Sequence, residues 1–273
     1  MSSPKTLLRP AARRTTSSFR SVAASVDAFA HIAADLATID GLRRNPGPVT
    51  GRDLPASFLK YADEQSVCGF AAVLKAIHAA GQPIDAFKDW AVIGAPRYPG
   101  RLQAAATISR FLDQGVRGVS PHTIPQTLLH SPSALISVGL GMNGPNLGAG
   151  GGQKALSEGM MTALAMLDEG RIPGLWLVVS QWDPEPIPAK NGRITTNSWC
   201  HAVAMALTPV DSGSSALRLE LTASLPAEPS VDSAPVVTLA EALADSSSAD
   251  VGAVVWQRTL EWGARLALIK HAT

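Results

Sequence analysis

The chain has 273 residues, 46% of them hydrophobic and 16% charged, and a formal net charge of +1. That is apolar content enough for a sizeable core in one large α/β domain or two small ones, and too even a charge balance to draw in nucleic acid or an anionic membrane. Two cysteines are too few for a disulfide framework, which suits a reducing cytoplasm, and no apolar run reaches the roughly eighteen residues of a membrane span.

The first residues carry Lys5, Arg9, Arg13, Arg14 and Arg20 without an acid. Thr15 to Ser18 offers no apolar signal core, so residues 1–18 read as a disordered start to one domain over 19–273. Alternation of Val22, Ala24 and Val26 predicts a strand from Phe19 to Phe29, and Ala30 to Leu42 reads as a helix that Arg43 to Pro48 ends. Asp63 is a helix cap, followed by the apolar face of Val67, Phe70, Ala71, Leu74 and Ile77 and by the stop Gly81. Asp89 to Gly94 is a buried strand, and Gln103 to Gln114 and Ser133 to Leu140 are helices.

Gly144 to Trp182 reads as strand, glycine turn, helix, strand. Leu147 to Ala149 forms a short strand inside the sheet beside Leu175 to Val179, whose unbroken apolar run marks burial on both faces. Gly150, Gly151 and Gly152 turn the backbone so that Gln153 starts a helix, with Leu156, Met160, Ala163, Leu164 and Leu167 at helical spacing and Gly170 as its stop. After a proline-rich link from Asp183 to Gly192, Ser198–Leu207 and Ala216–Ala223 read as a hairpin. Pro226 to Pro235 is a loop, Val237 to Leu243 a short helix and Ser246 to Asp250 a break; the tail favours strands at Val251–Trp256 and Ala264–Lys270 over a helix. Strand alternating with helix, without Asn-Gly turns, gives an α/β fold with a mixed, mostly parallel sheet covered by helices.

Several patterns carry less chemistry than they suggest. Gly139 to Gly144 spells G-x-G-x-x-G, but Pro145 follows and Asp168 falls inside a helix, so no dinucleotide site is expected. Gly150 to Lys154 lacks the Gly-Lys-Ser/Thr ending of a phosphate loop. Cys200 and His201 are adjacent on a strand and point to opposite faces, and Cys68 reads as a small core residue. The six histidines and two cysteines lack metal-ligand spacing, so neither a metal site nor a cofactor is expected.

Ser120-Pro121-His122-Thr123-Ile124-Pro125, the helix Ser133 to Leu140, and Gly144-Pro145 with the strand, turn and helix after it resemble the N-terminal half of β-ketoacyl synthases. The resemblance runs from about residue 60 to 224 and implies a thiolase-like half-fold. In that family a nucleophilic cysteine lies on the turn after the Gly-Pro strand, at a helix N-terminus. Counted from Gly144-Pro145 its place falls on Gln153, and a shift of one residue gives Gly152 or Lys154; none is a thiol. The family's catalytic histidines belong to the other half, which this chain has no room for, so none of the histidines here takes that role; His122 and His130 flank the Ser-Pro loop near the implied site. The resemblance thus implies a non-condensing protein, not catalytic alone. It would be an accessory subunit, of chain-length-factor type, in an acyl carrier protein-dependent fatty-acid-like or polyketide-like pathway. The partner would be a ketosynthase subunit or a second copy, since a lone half exposes apolar surface, with Ser120 to Met142 near the contact; acyl carrier protein is a further implied partner. The alternative is an acyl-thioester enzyme such as a malonyl-thioester decarboxylase using Gln153.

Overall fold

The computed structural model describes residues 21–47, 54–121, 123–189, 197–210, 215–223 and 235–272. The stretch read as a disordered start lies outside the described residues. The sheet has eight strands: β1 (Val22–Ala34), β2 (Ala91–Pro96), β3 (Asn146–Gly148), β4 (Leu175–Asp183), β5 (Trp199–Pro209), β6 (Leu217–Ala223), β7 (Val254–Thr259) and β8 (Ala264–Lys270). Their order is β3-β2-β4-β5-β1-β6-β8-β7. β3, β2 and β4 pair in parallel and β5 lies antiparallel to both β4 and β1, so β1 to β4 all run one way with β5 reversed among them. This is the expected α/β half-fold. Beyond β1 the chain adds β6, β8 and β7, all through antiparallel ladders.

The helices are α1 (Leu36–Arg44), α2 (Glu64–Ala79), α3 (Arg101–Gln114), α4 (Thr123–Gln126), α5 (Ser131–Leu140), α6 (Ala155–Asp168) and α7 (Pro235–Asp245). α2 begins where expected, because the Asp63 side chain accepts from the Ser66 amide at 2.6 Å. β4 explains the two-layer core. Leu175, Leu177 and Val179 pack with α6 and α7 on one face of the sheet, and Trp176, Val178 and Trp182 with α2 and α5 on the other. Trp176 is fully buried, with Phe87 and Trp90 rings 5.2 and 6.2 Å away. On α6, Leu156, Met160, Leu164 and Leu167 are buried at the expected spacing, each stabilising by about 1.5–3 kcal/mol. The tail forms strands β7 and β8, as the alternation in Arg265 to Lys270 suggested.

Three expectations are corrected. Ala30 to Ala34 is strand, not helix: it pairs with Cys200 to Ala204 of β5, and α1 starts only after Asp35, which caps it through the Thr38 amide. A register shift between Val26 and Ala28 turns the face of β1, so that Ala24 and Val26 meet one core while Ala28, Ala30, Ile32 and Ala34 meet the other. β3 is not beside β4 inside the sheet but at its edge, with β2 between them. β5 and β6 are not a hairpin: β1 lies between them and pairs with both. No helix among the described residues is long and apolar enough to cross a membrane.

Candidate functional site

The glycine turn joins β3 to α6 at the end of the sheet to which β2 and β4 run. Its entry is fixed by the Ala149 amide, which donates to Gly94 O at 2.8 Å, and its middle by Tyr98, whose amide donates to Gly151 O at 3.2 Å. Gly150 and Gly151 have φ of 81° and 94°, which side chains rarely adopt, and a Cβ on Gly150 would stand 2.5 Å from Ala155 Cα. Gly152 has no such need: its Cβ would meet nothing within 4 Å.

Gln153 does not start the helix. α6 begins two residues later at Ala155, whose amide donates to Gly152 O at 3.1 Å, while Gln153 and Lys154 form the outer corner of the turn and are exposed. Lys154 Nζ meets Glu261 Oε2 at 2.6 Å, which brings the tip of the β7–β8 hairpin beside the turn. His130 precedes α5 and is exposed, its Nδ1 3.2 Å from Ser133 Oγ three residues on. Its neighbour Leu129, not its imidazole, packs under Gly148 and Gly151. His122 lies outside the described residues.

Behind the turn is a polar network that sequence reasoning missed. Gln65, buried in the first turn of α2, donates through Nε2 to Arg97 O at 2.8 Å and accepts through Oε1 from Ser180 Oγ at 3.0 Å. The Arg97 amide donates to Ser180 O at 2.7 Å, and Arg97 bridges Gly151. Tyr98 stands at φ 50°, a strained value for an aromatic residue, with the Arg97 and Arg101 guanidinium groups 5.4 and 5.3 Å from its ring centre. Glu185 spans the two arginines at 3.6 and 3.4 Å; burial raises its pKa, and the arginines oppose that shift. The only local signal for this network was the Arg97-Tyr98 pair between a buried strand and a glycine, because its other members come from α2, β4 and the segment after it.

The chemistry open to the turn follows from what it holds. It presents the neutral carboxamide of Gln153 and the ammonium of Lys154, the latter paired with Glu261, and no thiol. Both cysteines are fully buried in the core on the α2 side, and burial pushes the Cys200 thiol well above its usual pKa. Among the described residues no group of three histidine, cysteine or acidic side chains is placed to hold a metal ion. A separate cleft of about 380 Å³ lies between α1 and the 56–60 segment, lined by Asp40, Arg43, Arg44, Ser57 and Lys60.

No protein-family model and no curated protein matches the sequence. Solved structures do match. A ketosynthase in complex with its chain length factor from Xenorhabdus doucetiae aligns at TM-score 0.56 and 13% identity, over 90% of this chain and 99% of the matched chain. A β-ketoacyl synthase from Burkholderia phymatum STM815 aligns at TM-score 0.50 and 12% identity, over 70% of this chain and 60% of that one. The chain therefore has the thiolase-type fold of the ketosynthases. It spans 64% of a matched chain in a complex of a type II acyl-carrier protein with its ketosynthase and 60% of the Burkholderia synthase, but nearly the whole of a chain in the Xenorhabdus complex.

Proposed function

We propose that the protein is a non-condensing, ketosynthase-like subunit that works as the partner of a complete ketosynthase in an acyl carrier protein-dependent pathway of polyketide-like or fatty-acid-like synthesis. The observation that carries this is the near end-to-end overlay on a similarly short chain from a ketosynthase and chain length factor complex, where complete synthases are covered only in part. A turn without a thiol supports it, since a carboxamide at Gln153 cannot form a thioester. So does the position of β3 at the edge of the sheet among the described strands, with the exposed Leu128 and Val138 in the neighbouring Ser120 to Met142 region.

The test is co-expression with a cognate ketosynthase. The subunit is expected to co-purify with it, to load no acyl group from acyl carrier protein, and to release no carbon dioxide from malonyl carrier protein; Gln153→Ala should leave product output largely intact. Gln153→Cys is expected to condense nothing by itself, for want of catalytic histidines. Carbon dioxide release by the wild type, lowered by about 10²–10³-fold in Gln153→Ala with the fold intact, would establish decarboxylation instead. Nothing in the geometry favours that alternative: the described imidazole flanking the turn, His130, is bonded to its own helix.

A further inference from the structure

We propose that the cleft between α1 and the 56–60 segment binds a phosphate group, free or carried on a small ester. Arg43, Arg44 and Lys60 line this cleft of about 380 Å³ with Asp40 as its one acid, beside the Ser57 hydroxyl and the Ala56 methyl. Three cations against one acid leave an excess of two positive charges in one concave place, in a chain whose whole net charge is +1.

The three cations differ in what they already hold. Arg43 is the frame: its Nη1 donates to Leu59 O at 3.2 Å and to Ala62 O, its Nη2 donates to Glu64 Oε1 at 3.0 Å, and its Nε faces Asp40 Oδ1 at 3.5 Å. These bonds tie α1 to the segment opposite and so fix the two walls of the cleft. The Arg43 charge is only partly answered, because Asp40 is 68% exposed and burial raises the Glu64 pKa to about 7. Arg44 has no hydrogen bond or ion pair among the described residues, and Lys60 has only the ring of Tyr61, its centre 5.2 Å from Nζ. The dipole of a helix C-terminus attracts cations, which accounts for Arg43 and Arg44 in the last turn of α1. It does not account for Lys60, which a separate segment brings to the same cleft, where like charges repel unless an anion joins them.

The donors select the anion. A guanidinium, an ammonium and a hydroxyl on two walls suit a tetrahedral group with oxygens in several directions; a planar carboxylate is satisfied by one arginine fork. The volume lies near the lower end of small-molecule sites, roughly 300–1,000 Å³, which admits a phosphate with a modest body attached. A nucleic acid would need a run of phosphate contacts, and beyond this cleft α1 offers no further cation. The inference is independent of the ketosynthase reading, since no residue of the cleft belongs to the glycine turn or to the Ser120 to Met142 region.

Calorimetric titration of the full chain at low ionic strength with inorganic phosphate, adenosine monophosphate and adenosine tests this. Phosphate and the nucleotide are expected to bind and adenosine is not. A nucleotide held more tightly than phosphate assigns the cleft to an ester, and equal affinities assign it to the free ion. Arg44→Gln and Lys60→Gln should each weaken binding about tenfold, the loss of one charge-assisted contact, with the thermal melt of the unliganded chain unchanged. Absence of phosphate binding at millimolar concentration, adenosine bound as tightly as its phosphate, or an affinity indifferent to both substitutions would overturn the proposal. So would loss of ketosynthase co-purification in Arg44→Gln, which would assign the free cations to a protein partner.

Discussion

His31 Nε2 and His201 Nδ1 lie 3.2 Å apart, on neighbouring strands β1 and β5, with their rings within 11° of parallel. One imidazole must donate to the other, so the pair is bonded only while at least one ring is neutral. Burial, then His201, then Lys75 bring the His31 pKa down to about 4, and burial lowers that of His201 against the pull of Asp183 and Glu241. The unfolded chain therefore takes up protons near pH 6.5 before the native one does. Stability is expected to be full above pH 6.5 and to fall as pH drops toward 4. The pair is only part-buried and so partly screened by solvent, and the loss should be on the order of 1 kcal/mol, about 2–4 °C in Tm. Thermal melts of His31→Gln across this range should show a flatter profile; an equal slope would refute the assignment.

Glu64 predicts the opposite slope. Burial first and Asp63 second raise its pKa to about 7, although Arg43 Nη2 is 3.0 Å from its carboxylate. A carboxyl that holds its proton more tightly when folded contributes stability below its unfolded pKa of about 4.5, and that contribution is lost as pH rises through 7. Glu64→Gln should flatten the profile between pH 5 and 8. Urea midpoints that keep the wild-type slope would contradict this.

The three glycines of the turn should not respond alike. Gly150→Ala meets both a forbidden φ and the Ala155 backbone, and is expected to cost about 1–3 kcal/mol or more. Gly152→Ala should be within about 0.5 kcal/mol of wild type, having open space around it. Denaturant unfolding of the two variants compares them directly, and equal costs would mean that the turn is held differently.

Val138 is 64% exposed on α5, near the edge strand. Val138→Asp should leave the melting curve of the single chain within about 2 °C of wild type while abolishing co-purification with a cognate ketosynthase. Retained co-purification would move the contact elsewhere.

Local chemistry made part of this fold legible. Asp63 announced α2, the glycines announced the turn, and Leu175 to Val179 announced a strand buried on both faces, because each signal needs only its immediate neighbours. Residues whose state depends on distant partners misled. Ala30 to Ala34 has the alanine content of a helix, and becomes strand because β5 supplies its ladder. The separation of β5 from β6 by β1, and of β3 from β4 by β2, is topology that no local pattern carries. At the site the start of α6 was readable to within two residues, while the Gln65 to Ser180 bond and the Lys154 to Glu261 pair, which fix its surroundings, join segments 115 and 107 positions apart.

The position of β1 sets a timetable for making this protein. Of the eight strands β1 leaves the ribosome first, yet it ends up inside the sheet, flanked by β5 and β6, and His31 meets a residue 170 positions downstream. At about 5–20 residues per second, β1 waits on the order of 10–30 s with both its edges unsatisfied. Pairing so distant in sequence is also slow once the chain is complete. A nascent chain that stops before β5 can lay α2 and α6 on β1 but has no strand for either of its edges, so chaperone cover of residues 22–34 would matter most during synthesis.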